Sequence, residues 1–190
     1  MCLVTGASRG IGKGIAIELG RQGAIVYVTG TSSTNQKSTS SSGPYTTTKV
    51  SGGPGTIEDT ASEVTAAGGQ GIAVYCNHAV DEDVKNLMDT IKADQGRLDI
   101  LINNVFRLPE GGAPQLNKKF WDQGPDVWDT VHTVGLRSHY VATHYAMPLL
   151  FESINKRPSH LPRPFIGMIS SFGGLAYSFN LAYGDRKSVV

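Results

Sequence analysis

The sequence predicts an α/β domain: a parallel sheet with helices on both faces, three layers in all. Short apolar runs alternate along the chain with longer stretches of helical spacing, the pattern of βαβ units. One run, Ile100-Leu101-Ile102, is continuously apolar, as suits a parallel strand covered on both sides. A glycine-rich turn, Thr5-Gly6-Ala7-Ser8-Arg9-Gly10-Ile11-Gly12-Lys13-Gly14, joins the first run to the first helical stretch. In that context backbone amides at a helix N-terminus hold a phosphate.

Leu3 to Thr5 is the first strand. Ile11 to Gln22 sets Ile11, Ile15 and Leu19 on one face of an amphipathic helix, ended by Gly20 and Gly23. Ala24 to Thr29, β-branched and aromatic, is the second strand. Residues 31–55 are nearly all Ser, Thr, Gly, Pro and Asn. They bury too little apolar surface to offset their ordering entropy, which predicts a low-complexity, mobile surface loop; the functional alternative is a lid. Thr56 to Ala67 is a helix with Ile57, Ala61 and Val64 inward, stopped by Gly68-Gly69. Gly71 to Cys76 is the third strand. Asp81 to Gln95 is a helix with Asp81 as N-cap and Val84, Leu87, Met88 and Ile91 on its apolar face.

Leu98 to Asn103 is the fourth strand, and Phe106 to Pro125 is irregular. Pro125 to Ile154 reads as one long helix or two shorter ones, with Pro148 marking the bend or break. Three prolines make Arg157 to Pro164 a loop. Phe165 to Ser170 is the fifth strand, Ser171 to Ala182 a loop, and Tyr183 opens a helix. Right-handed crossovers that reverse direction after the third strand give the order 3-2-1-4-5 in one domain over residues 1–190. The ligand crevice then lies at the carboxyl ends of strands one and four, where Gly6 to Gly12 and Asn103-Asn104 sit.

Composition excludes several functions. Lys plus Arg number 17 and Asp plus Glu 16, so the net charge of +1 offers no pull on nucleic acid or anionic lipid. No apolar run approaches a membrane span. Cys2 and Cys76 form no C-x-x-C and read as buried thiols of a reducing compartment. Only four residues precede Thr5, leaving no room for a signal peptide; the expectation is a cytoplasmic protein. His139 and His144 are five apart and no H-E-x-x-H occurs, so no metal is expected. Trp121 and Trp128 are expected in the core or an interface, and His78 as a capped surface residue.

The glycines have separable jobs: Gly6 for the sharp turn, Gly10 for approach to a pyrophosphate, Gly12 for close helix packing. G-x-G-x-x-G fails at Ile15, and a Walker loop fails at Gly14 and Ala7. What remains is T-G-x-x-x-G-x-G. Far downstream, Tyr183-Gly184-Asp185-Arg186-Lys187 is Y-x-x-x-K, whose ends share a helix face, and Ile169-Ser170-Ser171 ends the fifth strand. Jointly these motifs resemble the short-chain dehydrogenase/reductase family, a Rossmann-type group that binds NAD or NADP. The resemblance extends to Lys187. Its texture is similar to the member 1-like branch, on Gly55-Thr56-Ile57-Glu58, the run Val134 to Tyr140, and Phe179-Asn180 before Ala182-Tyr183-Gly184.

The resemblance implies an oxidoreductase moving hydride between a nicotinamide and a ketone, aldehyde or alcohol. Tyr183 would donate a proton to the carbonyl oxygen, Ser171 would hydrogen-bond it, and Lys187 would favour phenolate and hold the ribose. A free phenol titrates at roughly 10, too high for proton exchange near neutrality without such help. Gapless spacing favours Ser170 in place of Ser171; the I-S-S pattern favours Ser171. The implied cofactor contacts are Gly6, Ser8, Arg9, Gly10, Ile11, Gly12, Thr31, Asn77, Asn103, Asn104, Tyr183 and Lys187. NAD enzymes carry an acid after the second strand; Thr29-Gly30-Thr31-Ser32 has none, and Arg9 suits a 2′-phosphate. NADP(H) is therefore favoured, with NAD as the alternative.

Three positions depart from the family. Asn103-Asn104-Val105-Phe106 replaces N-N-A-G, so Phe106 takes room beside the riboses. Asn77 replaces an adenine-contacting Asp, and Thr133 an Asn of the proton relay. The chain also ends before the family's sixth strand. The rival expectation is an inactive pseudoenzyme or incomplete gene product, marginally folded, with an exposed fifth strand or association into a homo-oligomer that hides it.

Overall fold

The computed structural model describes all residues except 35–54, 157, 159–161, 177–180 and 189–190. Most of the expected 31–55 loop, and Phe179-Asn180, therefore lie outside the described residues. Five strands, β1 (Cys2–Val4), β2 (Ile25–Gly30), β3 (Gln70–Tyr75), β4 (Ile100–Asn103) and β5 (Phe165–Met168), form one parallel sheet in the order β3-β2-β1-β4-β5. The expected order holds.

The pleat of the central strands divides the core in two. Leu3, Tyr27 and Leu101 face α3 (Asp81–Gln95) and α6 (Ser138–Lys156), meeting Val84, Leu87, Ile91, Val141 and Leu149. Cys2, Val4, Val26, Val28 and Ile102 face α1 (Gly10–Arg21) and α2 (Ile57–Ala66), meeting Ala16, Ile57, Ala61 and Val64. Both cysteines are buried free thiols. Thr56 caps α2 reciprocally with Asp59.

Several element-level expectations need correction. The fully buried positions of α1 are Gly12, Ala16 and Gly20; Ile15 and Leu19 pack on the same core partly buried, and Ile11 is 64% exposed. Small residues win because the helix lies close to its neighbours: a Cβ at Gly20 would stand 2.8 Å from the Val64 carbonyl. Gly20 is thus inside the helix, and Gly23, at φ +74°, follows its end. Asp81 is not an N-cap; Val80 holds that position, and the Asp81 carboxylate grips Arg137 at 2.5 and 2.6 Å.

The predicted long helix breaks elsewhere than expected. α4 (Ala113–Leu116) and a 3₁₀ turn at Phe120–Asp122 precede α5 (Pro125–His132), and a π-helical turn, Thr133–Arg137, joins α5 to α6. Pro148 sits within α6 without ending it. Pro148, which cannot donate to the His144 carbonyl, lies with His144 on the exposed side of the helix. Trp121 and Trp128 are exposed at 65% and 43%, so neither is core. β5 ends the sheet with Phe165 and Met168 partly exposed, and a 3₁₀ turn (Phe172–Gly174) leads toward α7 (Leu181–Ser188).

Candidate active site

The carboxyl edge of the sheet gathers the residues that the sequence singles out. Gly6 and Gly10 take φ values of +63° and +60°, which glycine alone adopts freely. A Cβ at Gly12 would meet the Asn104 side chain at 2.4 Å and the Gly6 carbonyl at 2.8 Å. Asn104 explains that crowding: its amide donates to the carbonyls of Thr5 and Gly6, both at 2.9 Å. The Thr5 hydroxyl accepts from the backbone amides of Asn104 and Val105 and donates to Ile102. Turn and strand β4 are therefore one rigid unit.

The turn suits a dinucleotide's pyrophosphate. No side chain caps α1 and no acid lies in its first turn, so its N-terminal amides and dipole remain for an anion. A Cβ at Gly10 would meet nothing within 4 Å, which leaves open space for close approach. Arg9 donates from Nη2 to the Ser32 hydroxyl at 2.8 Å and the Gly55 carbonyl at 2.9 Å. Gly55, at φ +137°, packs on Ser8: a Cβ there would stand 2.6 Å from its carbonyl oxygen. Thr31 is exposed just past β2.

Two predicted contacts are tied up locally. Asn77, after β3, accepts from the Ala79 backbone N–H at its side-chain oxygen, and its backbone N–H donates to Asp83. Asn103 is fully buried and donates to Thr143 on α6. His78 is not at the surface: it is 4% exposed, bonded to Thr29, and burial pulls it down to about 3. His139 is buried against the Val105 carbonyl, and burial lowers it to about 4.

At the other end of the edge, the Ser171 and Tyr183 hydroxyls stand 3.1 Å apart. The Lys187 ammonium lies 5.7 Å from the centre of the Tyr183 ring and donates to the Ile169 carbonyl at 2.8 Å. Burial, then Arg186, lowers Lys187 to about 8. Ser170 instead donates to the Lys187 carbonyl, away from the phenol. Phe106 meets Tyr183 edge-on at 5.8 Å and packs with Val127, Val131 and Ala182, toward α5 and α7. Val105 contacts the Gly6 position directly, so Val105-Phe106 connects the glycine turn to the phenol. Among the described residues, no cluster is arranged to hold a metal, and no helix is long and apolar enough to cross a membrane.

The chain is 34% identical over 99% of its length to "Dehydrogenase/reductase SDR family member 1" of Mus musculus, and equally so to that of Homo sapiens. The family model described as "Enoyl-(Acyl carrier protein) reductase" matches residues 50–157. The chain belongs to the short-chain dehydrogenase/reductase family. It spans about half the length of these curated relatives, 51% of each. Among solved structures, a metagenomic short-chain oxidoreductase in complex with NADP is similar at a TM-score of 0.72 and 26% identity, over 98% of this chain and 69% of that one. The NADH-dependent reductase A1-R′ complexed with NAD shares the fold at a TM-score of 0.74 and 20% identity, over 99% and 66%.

Within this short-chain member, sequence reasoning overlooked two features. Gly55, noted in the sequence only within Gly55-Thr56-Ile57-Glu58, closes on the turn. Arg186, inside Y-x-x-x-K, is only 1% exposed, and a charged residue at an unspecified motif position gave no sign of burial.

Proposed function

We propose that this chain is an NADP(H)-preferring oxidoreductase of short-chain type that reduces ketones or aldehydes and oxidises the matching alcohols. The observation that carries the reading is the Ser171–Tyr183 hydroxyl pair with Lys187 beside the phenol, on the same sheet edge as the glycine turn. The Gly6–Gly12 turn and α1 hold the pyrophosphate, with Asn104 keeping the turn in shape. Arg9 takes the 2′-phosphate, as a guanidinium beside Ser32 and Gly55 with no acid at the end of β2. The NADP complex of the metagenomic relative supports a nicotinamide dinucleotide as cofactor; the preference for NADP(H) rests on Arg9.

When bound, the nicotinamide supplies or accepts the hydride. The chain's own groups manage the proton. Ser171 donates a hydrogen bond to the substrate oxygen and fixes it beside the phenol. Tyr183 passes its proton to that oxygen as charge develops, and the neighbouring Lys187 ammonium stabilises the phenolate left behind. Thr133 opens the π-helical turn and stands in the relay position with its backbone carbonyl and a hydroxyl.

The test is NADPH consumption with a panel of ketones and aldehydes. General acid catalysis of this kind is worth about 10²–10⁴-fold, so Tyr183→Phe should lose that much turnover while binding NADPH as before. A fully active phenylalanine variant would contradict the assignment. Thr133 in the relay position favours a second reading, a dinucleotide-binding protein without turnover. That reading predicts NADPH binding, no consumption with any substrate, and consumption gained in Thr133→Asn.

A further inference from the structure

Among the described residues, Arg186 is the largest side chain that is almost fully buried. Its Nε donates to the Gly135 carbonyl at 2.7 Å, and its guanidinium lies 4.6 Å from the centre of the Phe106 ring. The fit is specific: a Cβ at Gly135 would stand 2.0 Å from Nε. Gly135 lies in the middle of the π-helical turn, and Phe106 is itself edge-on to Tyr183. Two of the chain's unusual residues, Phe106 and Arg186, therefore touch each other beside the phenol.

We propose that Arg186 is a positioning residue for the Tyr183–Lys187 pair: it pins α7 to the π-helical turn and sets a second buried cation beside the Lys187 ammonium. This inference deepens the oxidoreductase reading and rests on it for its catalytic meaning.

The charge environment makes the placement consequential. Among the described residues no carboxylate pairs with Arg186; Asp185, the adjacent acid, faces His132 at 3.0 Å on the exposed side. Lys187 is faced from α7 by Tyr183 and Arg186, from the end of β5 by the Ile169 carbonyl, and from α6 by His139, which is held neutral by burial. The guanidinium, which the Tyr183 phenol steadies but no carboxylate pairs with, is the other cation beside Lys187 among these described groups. Two like charges in a poorly hydrated site disfavour each other. Arg186 keeps its own charge because a guanidinium is far more basic than an ammonium, although burial lowers it to about 10. Lys187 therefore yields first. Its proton is lost near pH 8, which would set an alkaline limit on the holding of the ribose and the phenol.

The test follows the Lys187 proton itself through the ¹³Cε resonance of labelled lysine, assigned with Lys187→Met. Burial is the larger cause of the depression, so Arg186→Met should move the Lys187 midpoint part of the way from about 8 toward the ordinary lysine value of 10.5. Arg186→Lys, which restores a cation, should bring it back down. Amide exchange in α7 should also quicken in Arg186→Met. If Arg186→Met does not melt cooperatively, Phe106→Leu carries the test: loosening the guanidinium should raise the Lys187 midpoint in a folded chain. An unmoved midpoint in a folded Arg186→Met, or in folded Phe106→Leu where that variant is needed, overturns the inference. The readout needs no turnover, so an inactive chain would count against the oxidoreductase reading and leave this measurement decisive for Arg186.

Discussion

Arg9 leaves the glycine turn and reaches Ser32, just past β2, and the Gly55 carbonyl, and the proposed reading assigns it the 2′-phosphate. A charge-assisted bond to phosphate is worth about 1.5–3 kcal/mol, so Arg9→Ala should weaken NADPH by about tenfold or more and leave NADH nearly unchanged. Calorimetric titration of both cofactors checks it; equal losses would remove Arg9 from cofactor choice. His78 and His139 set a second residue-level expectation. Both are lowered by burial, to about 3 and about 4. The unfolded chain binds their protons near 6.5 and the folded chain does not. Stability is therefore complete above about pH 6.5 and falls as pH drops from there through 4 toward 3. His78→Gln, which can still bond Thr29, should flatten that acid limb in melting temperature against pH. An unchanged limb would mean that other groups cause it.

Helix α1 shows what element-scale pattern reading misses. Spacing pointed to Ile11, Ile15 and Leu19; Ile15 and Leu19 do pack, partly buried, on the core, but Ile11 is exposed and the fully buried positions are Gly12, Ala16 and Gly20. Apolar periodicity detects burial by side-chain volume and is blind to the small residues where backbones approach. Two substitutions separate the effects. At Gly14 a Cβ meets nothing, so Gly14→Ala should stabilise by about 0.5–1 kcal/mol through helix propensity alone. At Gly20 a Cβ meets the Val64 carbonyl at 2.8 Å and the Val64 side chain at 2.9 Å. Gly20→Ala should therefore lower the melting temperature despite the same gain in propensity. A rise at both positions would mean that α1 and α2 part easily. The helix break had a similar origin. Pro148 is a strong sequence signal, but it sits on the exposed side of α6 and the helix runs through it. The π-helical turn at Thr133–Arg137 carries no proline.

Across the whole molecule, the sheet order and the meeting of distant motifs were legible because they follow from few rules. Strand–helix alternation and right-handed crossovers leave little choice of topology, and β1 to β5 obey them. Gly6, Asn104 and Ser171 are separated by long stretches of chain, yet each follows a strand at one edge, and α7 brings Tyr183 back to Ser171. What was not legible depends on burial in three dimensions. His78 and Arg186 look like surface residues in sequence, and only packing against Thr29 and Gly135 shows otherwise. The functional account stands on the glycine turn as a dinucleotide site. Titrating NADPH into the chain and into Gly12→Val, each checked for cooperative melting, tests it most directly. The account predicts one saturable site in the parent chain and its loss in the variant, where the added side chain displaces Asn104. No saturable binding to the parent chain, or undiminished binding to folded Gly12→Val, would contradict it.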